Sequence, residues 1–312
     1  MSTFLGIDTS NYTTSCAALS DNGMVQEKML LPVRRGECGL RQSEAVFHHT
    51  QQLPKVMERL MPRLEGKIEA IGVSAKPRQE EGSYMPCFTV GSGCAKTLSL
   101  VLDVPLYEFS HQQGHVAAAL YSAGRLDLLG APFLAFHVSG GTTEALCVTP
   151  DEKQLFQTHI AAKTLDLNAG QAVDRVGVML GLSFPCGMEL EGLALSCKDK
   201  ITVKPALKGC DCCLSGVENR CRQLLLQGAS KAYVAAFCIQ YIRQTLFEMT
   251  VRLQKQYGKL PLLYAGGVMS NSIIRRPFEQ EFGALFAQPE YSCDNAAGIA
   301  SLAAIRHGGI TL

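Results

Sequence analysis

Two stretches of the chain repeat one pattern of apolar and polar positions. Phe4-Leu5-Gly6-Ile7-Asp8-Thr9-Ser10 is an apolar run ending in a polar turn, and Thr13-Thr14-Ser15-Cys16-Ala17-Ala18-Leu19 returns from it. Phe133-Leu134-Ala135-Phe136-His137-Val138 leads into Ser139-Gly140-Gly141, and Thr142-Thr143-Glu144-Ala145-Leu146 returns. Apolar runs with polar or small residues at the reversal predict β-hairpins, and the same order met twice predicts two related lobes. Small residues at each turn leave backbone N–H groups open to an anion, which is how a loop cradles phosphate. An ordinary hairpin satisfies the same pattern, so each takes its meaning from its surroundings.

Between the hairpins, apolar residues at helical spacing predict a helix over 43–64. His48 and His49 are adjacent within it and point apart, which marks them as structural or surface residues. Residues 68–74 read as an interior strand, 76–82 as a loop, 91–102 as a helix and 104–109 as a strand. That alternation predicts α/β layering. Beyond the second hairpin, 164–175 is a polar turn feeding a helix to 180, and 181–187 is a loop. A long helical period covers 229–256. Residues 262–271 read as a buried strand, a Gly266-Gly267 turn and a helix starting near Asn271; such a turn lets a flat ring or a phosphate lie against bare backbone. The expected division is a lobe of 1–130 and a lobe of 131–312.

Chemistry concentrates in Ser110-His111-Gln112-Gln113-Gly114-His115, at the head of an Ala- and Leu-rich helical run. Residues i and i+4 share a helix face, so both imidazoles reach one point, a spacing that suits a transition metal as well as two histidines packed on a small-residue surface. Gln112 stands where HExxH has its glutamate base, which removes the peptidase reading. Near the end, Asp294 and Asn295 head a small-residue helix. Asp294 either caps that helix or supplies the carboxylate that completes the histidine site.

Composition narrows the field further. The 312 residues are 47% hydrophobic, enough for a substantial core. No basic leader and no apolar run of membrane length is visible, and 13 cysteines in such a chain read as reduced thiols. The expectation is a cytoplasmic protein that neither enters nor binds a membrane. Cys210, Cys212 and Cys213 lack the paired spacing of a zinc ribbon. With 29 basic against 28 acidic residues, no whole-protein field draws nucleic acid, so RNA contact needs a local patch. Lys198, Lys200, Lys204 and Lys208 form one candidate and Arg275 with Arg276 another.

Assembled in this order, the chain resembles the tRNA threonylcarbamoyladenosine transferase family, TsaD in bacteria, formerly described as a glycoprotease. The resemblance runs nearly end to end. It is carried by Ser110-His111-Gln112-Gln113-Gly114-His115, Val138-Ser139-Gly140-Gly141-Thr142-Thr143, Ala169-Gly170-Gln171-Ala172-Val173-Asp174-Arg175, Leu214-Ser215-Gly216, Ala265-Gly266-Gly267-Val268 and Cys293-Asp294-Asn295-Ala296-Ala297. The resemblance implies an actin-like ATPase fold, with two related lobes around a nucleotide cleft. It implies one divalent metal, iron or zinc, on His111, His115 and Asp294. It implies ATP, AMP or an acyl-adenylate as nucleotide, with Ser139, Gly140 and Gly141 at the phosphate and Asp166, Gly170, Asp174, Gly267 and Asn271 at the ribose and base. The implied partners are tRNA and a smaller paralogous subunit or a second copy of the chain.

Departures from the family pattern accompany these matches. Where the first hairpin usually reads ETSCDET, this chain has Asp8-Thr9-Ser10-Asn11-Tyr12-Thr13-Thr14, with Tyr12 and Thr13 in place of the acidic pair. Gln171 and Thr142 replace a usual glutamate and histidine, and Lys76-Pro77-Arg78-Gln79 stands where the family has a GPG-rich loop. Acids that orient a nucleophile or a second cation are therefore missing, while the metal ligands remain. No catalytic side chain is fixed by the pattern; Asp8 and Ser10 are the candidates. Two functions follow. One is a metal-dependent, nucleotide-binding transferase that moves threonylcarbamoyl from threonylcarbamoyl-AMP to the anticodon-loop adenosine of tRNA. The other is a divergent paralogue that holds metal and nucleotide but uses another acceptor or serves as a non-catalytic regulator.

Overall fold

The computed structural model describes residues 2–32 and 40–310. Strands β1 (Ser2–Asp8), β2 (Thr13–Ser20) and β3 (Gly23–Leu30) run as a meander, followed by α1 (Gln42–Leu60), β4 (Lys67–Lys76), α2 (Phe88–Leu102), β5 (Leu106–Ser110) and α3 (His111–Ser122). A second meander of β6 (Phe133–Val138), β7 (Thr143–Asp151) and β8 (Leu155–Lys163) leads to α4 (Ala169–Met179) and α5 (Gly187–Leu195). Then come β9 (Ala206–Lys208), β10 (Asp211–Cys213), α6 (Ser215–Leu226), α7 (Lys231–Tyr257), β11 (Leu262–Ala265), α8 (Ser272–Phe282), β12 (Leu285–Phe286) and α9 (Ala297–His307).

The duplication expected from the hairpins extends to the whole sheet plan. Among the described residues one five-stranded sheet runs β3-β2-β1-β4-β5, a second runs β8-β7-β6-β11-β12, and β9 and β10 form a two-stranded sheet of their own. The hairpin partners β1/β2 and β6/β7 are antiparallel, while β1/β4, β4/β5, β6/β11 and β11/β12 are parallel. A tight turn can only reverse a strand, and a helical crossover returns it parallel, so each order follows from its connections. β1 sits between β2 and β4 with six of its seven residues buried, which is why it reads as a continuous apolar run.

The chain divides into two compact units. One comprises Met1–Ala131, Pro150–Thr158 and Glu290–Leu312, the other Pro132–Thr149 and His159–Pro289. This differs from the expected ranges 1–130 and 131–312 by returning α9 and the tip of the β7–β8 hairpin to the first unit. Close packing explains the return of α9. A Cβ on Gly298 would stand 1.9 Å from the Gly114 carbonyl oxygen on α3, and one on Gly6 would stand 2.5 Å from the Ala300 nitrogen, so only glycine allows these backbones to meet. The first unit's core is built on Leu5, Ile7, Ile71 and Val73 with Leu53, Val56 and Leu60 of α1. The second unit's core centres on Phe136, Ile239 and Tyr264, and the buried Tyr264 hydroxyl lies 2.6 Å from Thr250 Oγ1.

Several elements depart from the sequence reading. Strands β3 and β8 carry mixed polar sequence on half-exposed edges, without the clean alternation that marks a strand. Helix α2 begins at Phe88, three residues before the glycine taken as its start, and a helix, α5, opens where the 181–187 loop ends. His49 is buried with Nδ1 2.8 Å from Thr14 Oγ1, a packing role as expected. All 12 described cysteines are free thiols. No helix among the described residues is long and apolar enough to cross a membrane.

Candidate metal centre

Helix α3 begins with a reciprocal cap: the Gln113 N–H donates to Ser110 Oγ at 3.2 Å, and the Ser110 N–H donates to Gln113 Oε1 at 2.9 Å. The cap fixes the first turn, so His111 and His115 lie one above the other with ring centroids 4.2 Å apart. Gln113 Nε2 also donates to the Gln154 and Phe156 carbonyls, and Gln112 Oε1 accepts from Thr158 Oγ1. Both glutamines thus serve as anchors. Neither provides a base.

Asp294 reaches the same point from the turn before α9. Its Oδ1 lies 3.4 Å from His111 Nε2 and 3.2 Å from His115 Nε2. The N-cap position of α9 is Ala296, and the side chain that meets the helix start is Asn295, whose Oδ1 accepts from the Ala297 N–H at 3.0 Å, so the capping role for Asp294 is set aside. Asn295 Nδ2 donates to the Cys293 carbonyl at 2.6 Å and holds the turn that carries the aspartate.

The two first-hairpin candidates lie behind His111. Its Nδ1 is 2.8 Å from Asp8 Oδ2 and 2.8 Å from Ser10 Oγ, and the Ser10 N–H donates to Asp8 Oδ1 at 2.7 Å. An ionised carboxylate only accepts, so Nδ1 carries the hydrogen and Nε2 faces Asp294 as the donor atom. Burial opposes charge on His111, but Asp8 and Asp294 outweigh it and raise its pKa to about 10. Burial likewise opposes charge on Asp294, and its hydrogen bonds and attraction to His111 and His115 hold it well below the usual carboxylate value. Asn11, which the sequence reading passed over, adopts φ +48° and brings Nδ2 to 3.3 Å from His111 Nε2. An asparagine at a hairpin turn was its only signal.

The donor atoms of His111, His115 and Asp294 lie within 4.8 Å of one another. Two imidazole nitrogens and a carboxylate oxygen, with Asp8 fixing one tautomer from behind, fit a divalent cation. With His111 protonated, Asp8 and Asp294 leave the cluster an anionic surplus, and a cation would take the place of the His111 Nε2 proton.

The second unit gathers several of the expected nucleotide residues at one place. Ser139 Oγ accepts from the N–H groups of Gly141 and Thr142, and Gly140 and Gly141 are exposed. The N-terminus of α4 abuts this turn, with the Gly170 N–H donating to the Ser139 carbonyl at 3.0 Å. Gly266, at φ +100°, passes so near Val138 that a Cβ would lie 2.2 Å from its carbonyl oxygen, which sets the Gly266-Gly267 turn beside the same strand end. The remaining candidates are engaged otherwise. Asp166 accepts from the Leu214 N–H and the Ser215 hydroxyl, Asp174 from the Cys186 N–H, and Asn271 Oδ1 caps α8. Gln171 Oε1 accepts from the Asn168 N–H, so the residue replacing the family's glutamate closes the first turn of α4.

Residues 35–301 match the model of the family TsaD, tRNA N6-adenosine threonylcarbamoyltransferase. A protein of that name from Thermus thermophilus is 31% identical over 309 residues, covering 97% of this chain and 92% of the relative. One from Methanopyrus kandleri is 30% identical over 268 residues, covering 84% of this chain and 75% of the relative. Among solved structures, component A of the (R)-2-hydroxyglutaryl-CoA dehydratase of Acidaminococcus fermentans superposes with a TM-score of 0.57 at 14% identity. It covers 99% of this chain and 100% of that one, a likeness in fold that places the chain among actin-like ATPase folds.

Proposed function

The chain belongs to the tRNA N6-adenosine threonylcarbamoyltransferase family, a family of transferases, and on that premise we propose that the two histidines and Asp294 form the metal centre of a working transferase. The reaction joins the exocyclic amine of a tRNA adenosine to the carbamoyl carbon of threonylcarbamoyl-AMP. The bond from that carbon to the AMP phosphate oxygen breaks, AMP leaves, and the amine loses one proton. The observation that carries this reading is the convergence of His111, His115 and Asp294, 183 positions apart at their extremes, on a single point.

His111, His115 and Asp294 would hold a divalent cation through two imidazole nitrogens and a carboxylate oxygen, with iron and zinc both compatible with that donor set. When bound, such a cation acts as a Lewis acid toward a phosphoryl or carbamoyl oxygen. Asp8 and Ser10 act as positioning residues, holding the His111 ring by its Nδ1 side. In the second unit, the exposed backbone of Gly140 and Gly141, with the positive end of the α4 dipole behind it, is suited to an anionic phosphate, with the Gly266-Gly267 turn open to a flat ring. Tyr12, exposed, and Thr13, buried, offer no acid at the positions where the family has a pair. The proton of the amine therefore has to leave through another acceptor or the solvent.

The test is incubation of the purified chain with unmodified tRNA and threonylcarbamoyl-AMP, with nucleoside analysis of the product. Formation of threonylcarbamoyladenosine that is lost in His115→Ala supports the reading. Metal and nucleotide binding without product would instead establish the non-catalytic alternative.

A further inference from the structure

We propose that the extended segment 200–208 is a phosphate-backbone contact surface for RNA, an inference that rests on the transferase reading and adds to it the place where the acceptor docks. Residues 200–208 alternate strictly: 200, 202, 204, 206 and 208 are exposed, and 201, 203, 205 and 207 are half-buried. Residues 206–208 are strand β9, and the alternation of exposure over the whole run puts Lys200, Lys204 and Lys208 together on its outward face. Pro205, which lacks an N–H, precedes β9, and the Gly209 turn ends the run at the β9–β10 hairpin.

Three lysines and no acid occupy these nine positions. None of the three ammonium groups is in an ion pair among the described residues. Neighbouring elements extend the positive face. Arg252 of α7 donates to the Gly209 carbonyl, and Lys163 of β8 and Lys198 are exposed nearby in sequence or pairing. The acids within reach are Asp199, exposed beside Lys198 and Lys200, Asp211, which sits opposite Lys208 and accepts from the Lys163 N–H at 2.8 Å, and Asp166, exposed and held by Leu214 and Ser215 just past the hairpin. Cations therefore outnumber acids six to three. Unpaired lysines on flexible stems act as point charges and adapt to the spacing of phosphates without reading sequence.

The hairpin that ends this run is tied to the nucleotide segment. The Leu165 N–H donates to the Cys212 carbonyl at 2.8 Å, and the Leu214 N–H donates to Asp166 Oδ1 at 2.7 Å. Four residues later the chain reaches Gly170 and the Ser139 turn. A polyanion held on the lysine face is thus tied to the same compact unit as the loops proposed for the acyl-adenylate. Charge complementarity together with that linkage favours an RNA backbone over an anionic membrane, since the run offers no amphipathic helix or apolar face to insert.

The experiment compares the full chain with a Lys200→Ala/Lys204→Ala/Lys208→Ala variant and a Lys55→Ala/Lys96→Ala/Lys259→Ala control. It measures tRNA binding against salt, binding to phosphatidylserine-containing vesicles, transfer kinetics and melting temperature. The expected result is that the ladder variant binds tRNA roughly tenfold more weakly at low salt and that its log Kd against log salt slope falls by about two, near 0.7 per lost single-strand contact. Its KM for tRNA rises, while its melting temperature and its nucleotide binding stay with the control. Equal tRNA affinity and equal slope in both variants would overturn the inference while leaving the transferase reading intact, because product would still form. Loss of vesicle binding with unchanged tRNA binding would overturn it in favour of a membrane. A wild-type chain that binds tRNA at the ladder but makes no product would instead defeat the transferase reading alone.

Discussion

His111 Nδ1 and Asp8 Oδ2 stand 2.8 Å apart, joining a residue at the start of α3 to one at the end of β1. The carboxylate holds the hydrogen on Nδ1, so Nε2 is the nitrogen left to bind a cation. Asp8→Asn keeps the shape but loses the charge. Metal affinity is expected to fall about 10- to 100-fold, read as metal retained after dialysis against a graded series of chelator concentrations. Affinity equal to the wild type would show that the pair does not orient the ligand.

Replacing a ligand itself should act more sharply. His111→Ala and Asp294→Ala are each expected to abolish stoichiometric metal binding, measured by elemental analysis, while circular dichroism retains the native spectrum. Full metal content in either variant would reject the site.

The position of Asp294 depends on how closely α9 approaches α3. In Gly298→Ala the new methyl would fall 1.9 Å from the Gly114 carbonyl oxygen, an overlap that only backbone movement relieves. The expected cost is about 3 kcal/mol of stability, seen in chemical unfolding, together with weaker metal binding. Gly93→Ala, in open space on α2, is the matched control. If the two variants unfold alike, the close contact is not what fixes α9.

A pH dependence is expected in the second unit. Burial pushes the Asp166 carboxyl up, but the Ser215 hydroxyl and the N–H groups of Leu214, Leu167 and Ser215 outweigh it and lower its pKa below the usual carboxylate value. A group with a lowered folded pKa contributes stability that is present above its unfolded value of about 3.9 and is lost as pH falls through the folded one. Asp166→Asn should therefore be less stable than the wild type at pH 7, with the difference shrinking below about pH 4. Urea unfolding at several pH values checks this, and a gap that widens in acid would contradict it.

Local signals carried much of the fold. The two hairpins, the helix over Lys231–Tyr257 and the α3 start were legible because each is a strong run of one periodicity in a short window. The edge strands β3 and β8 were not, since half-exposed strands tolerate polar residues on both faces. Gln171 reads as a lost acid in one dimension and as the closing residue of the α4 cap in three. Asp166 and Asp174 look alike as candidate ribose ligands in sequence, and their present hydrogen bonds instead brace α6 and α5.

The sequence by itself determined the repeated hairpins, the shared face of His111 and His115, and the family, because these depend on spacing within a few residues or on motifs read in order. Only the tertiary structure decided that α9 packs into the first unit, that Asn295 rather than Asp294 meets the start of α9, and that Asp8 stands behind His111. The physical reason is that those relations are set by backbone approach at glycine contacts such as Gly114 with Gly298. A contact between residues so distant along the chain leaves no periodic trace in the sequence.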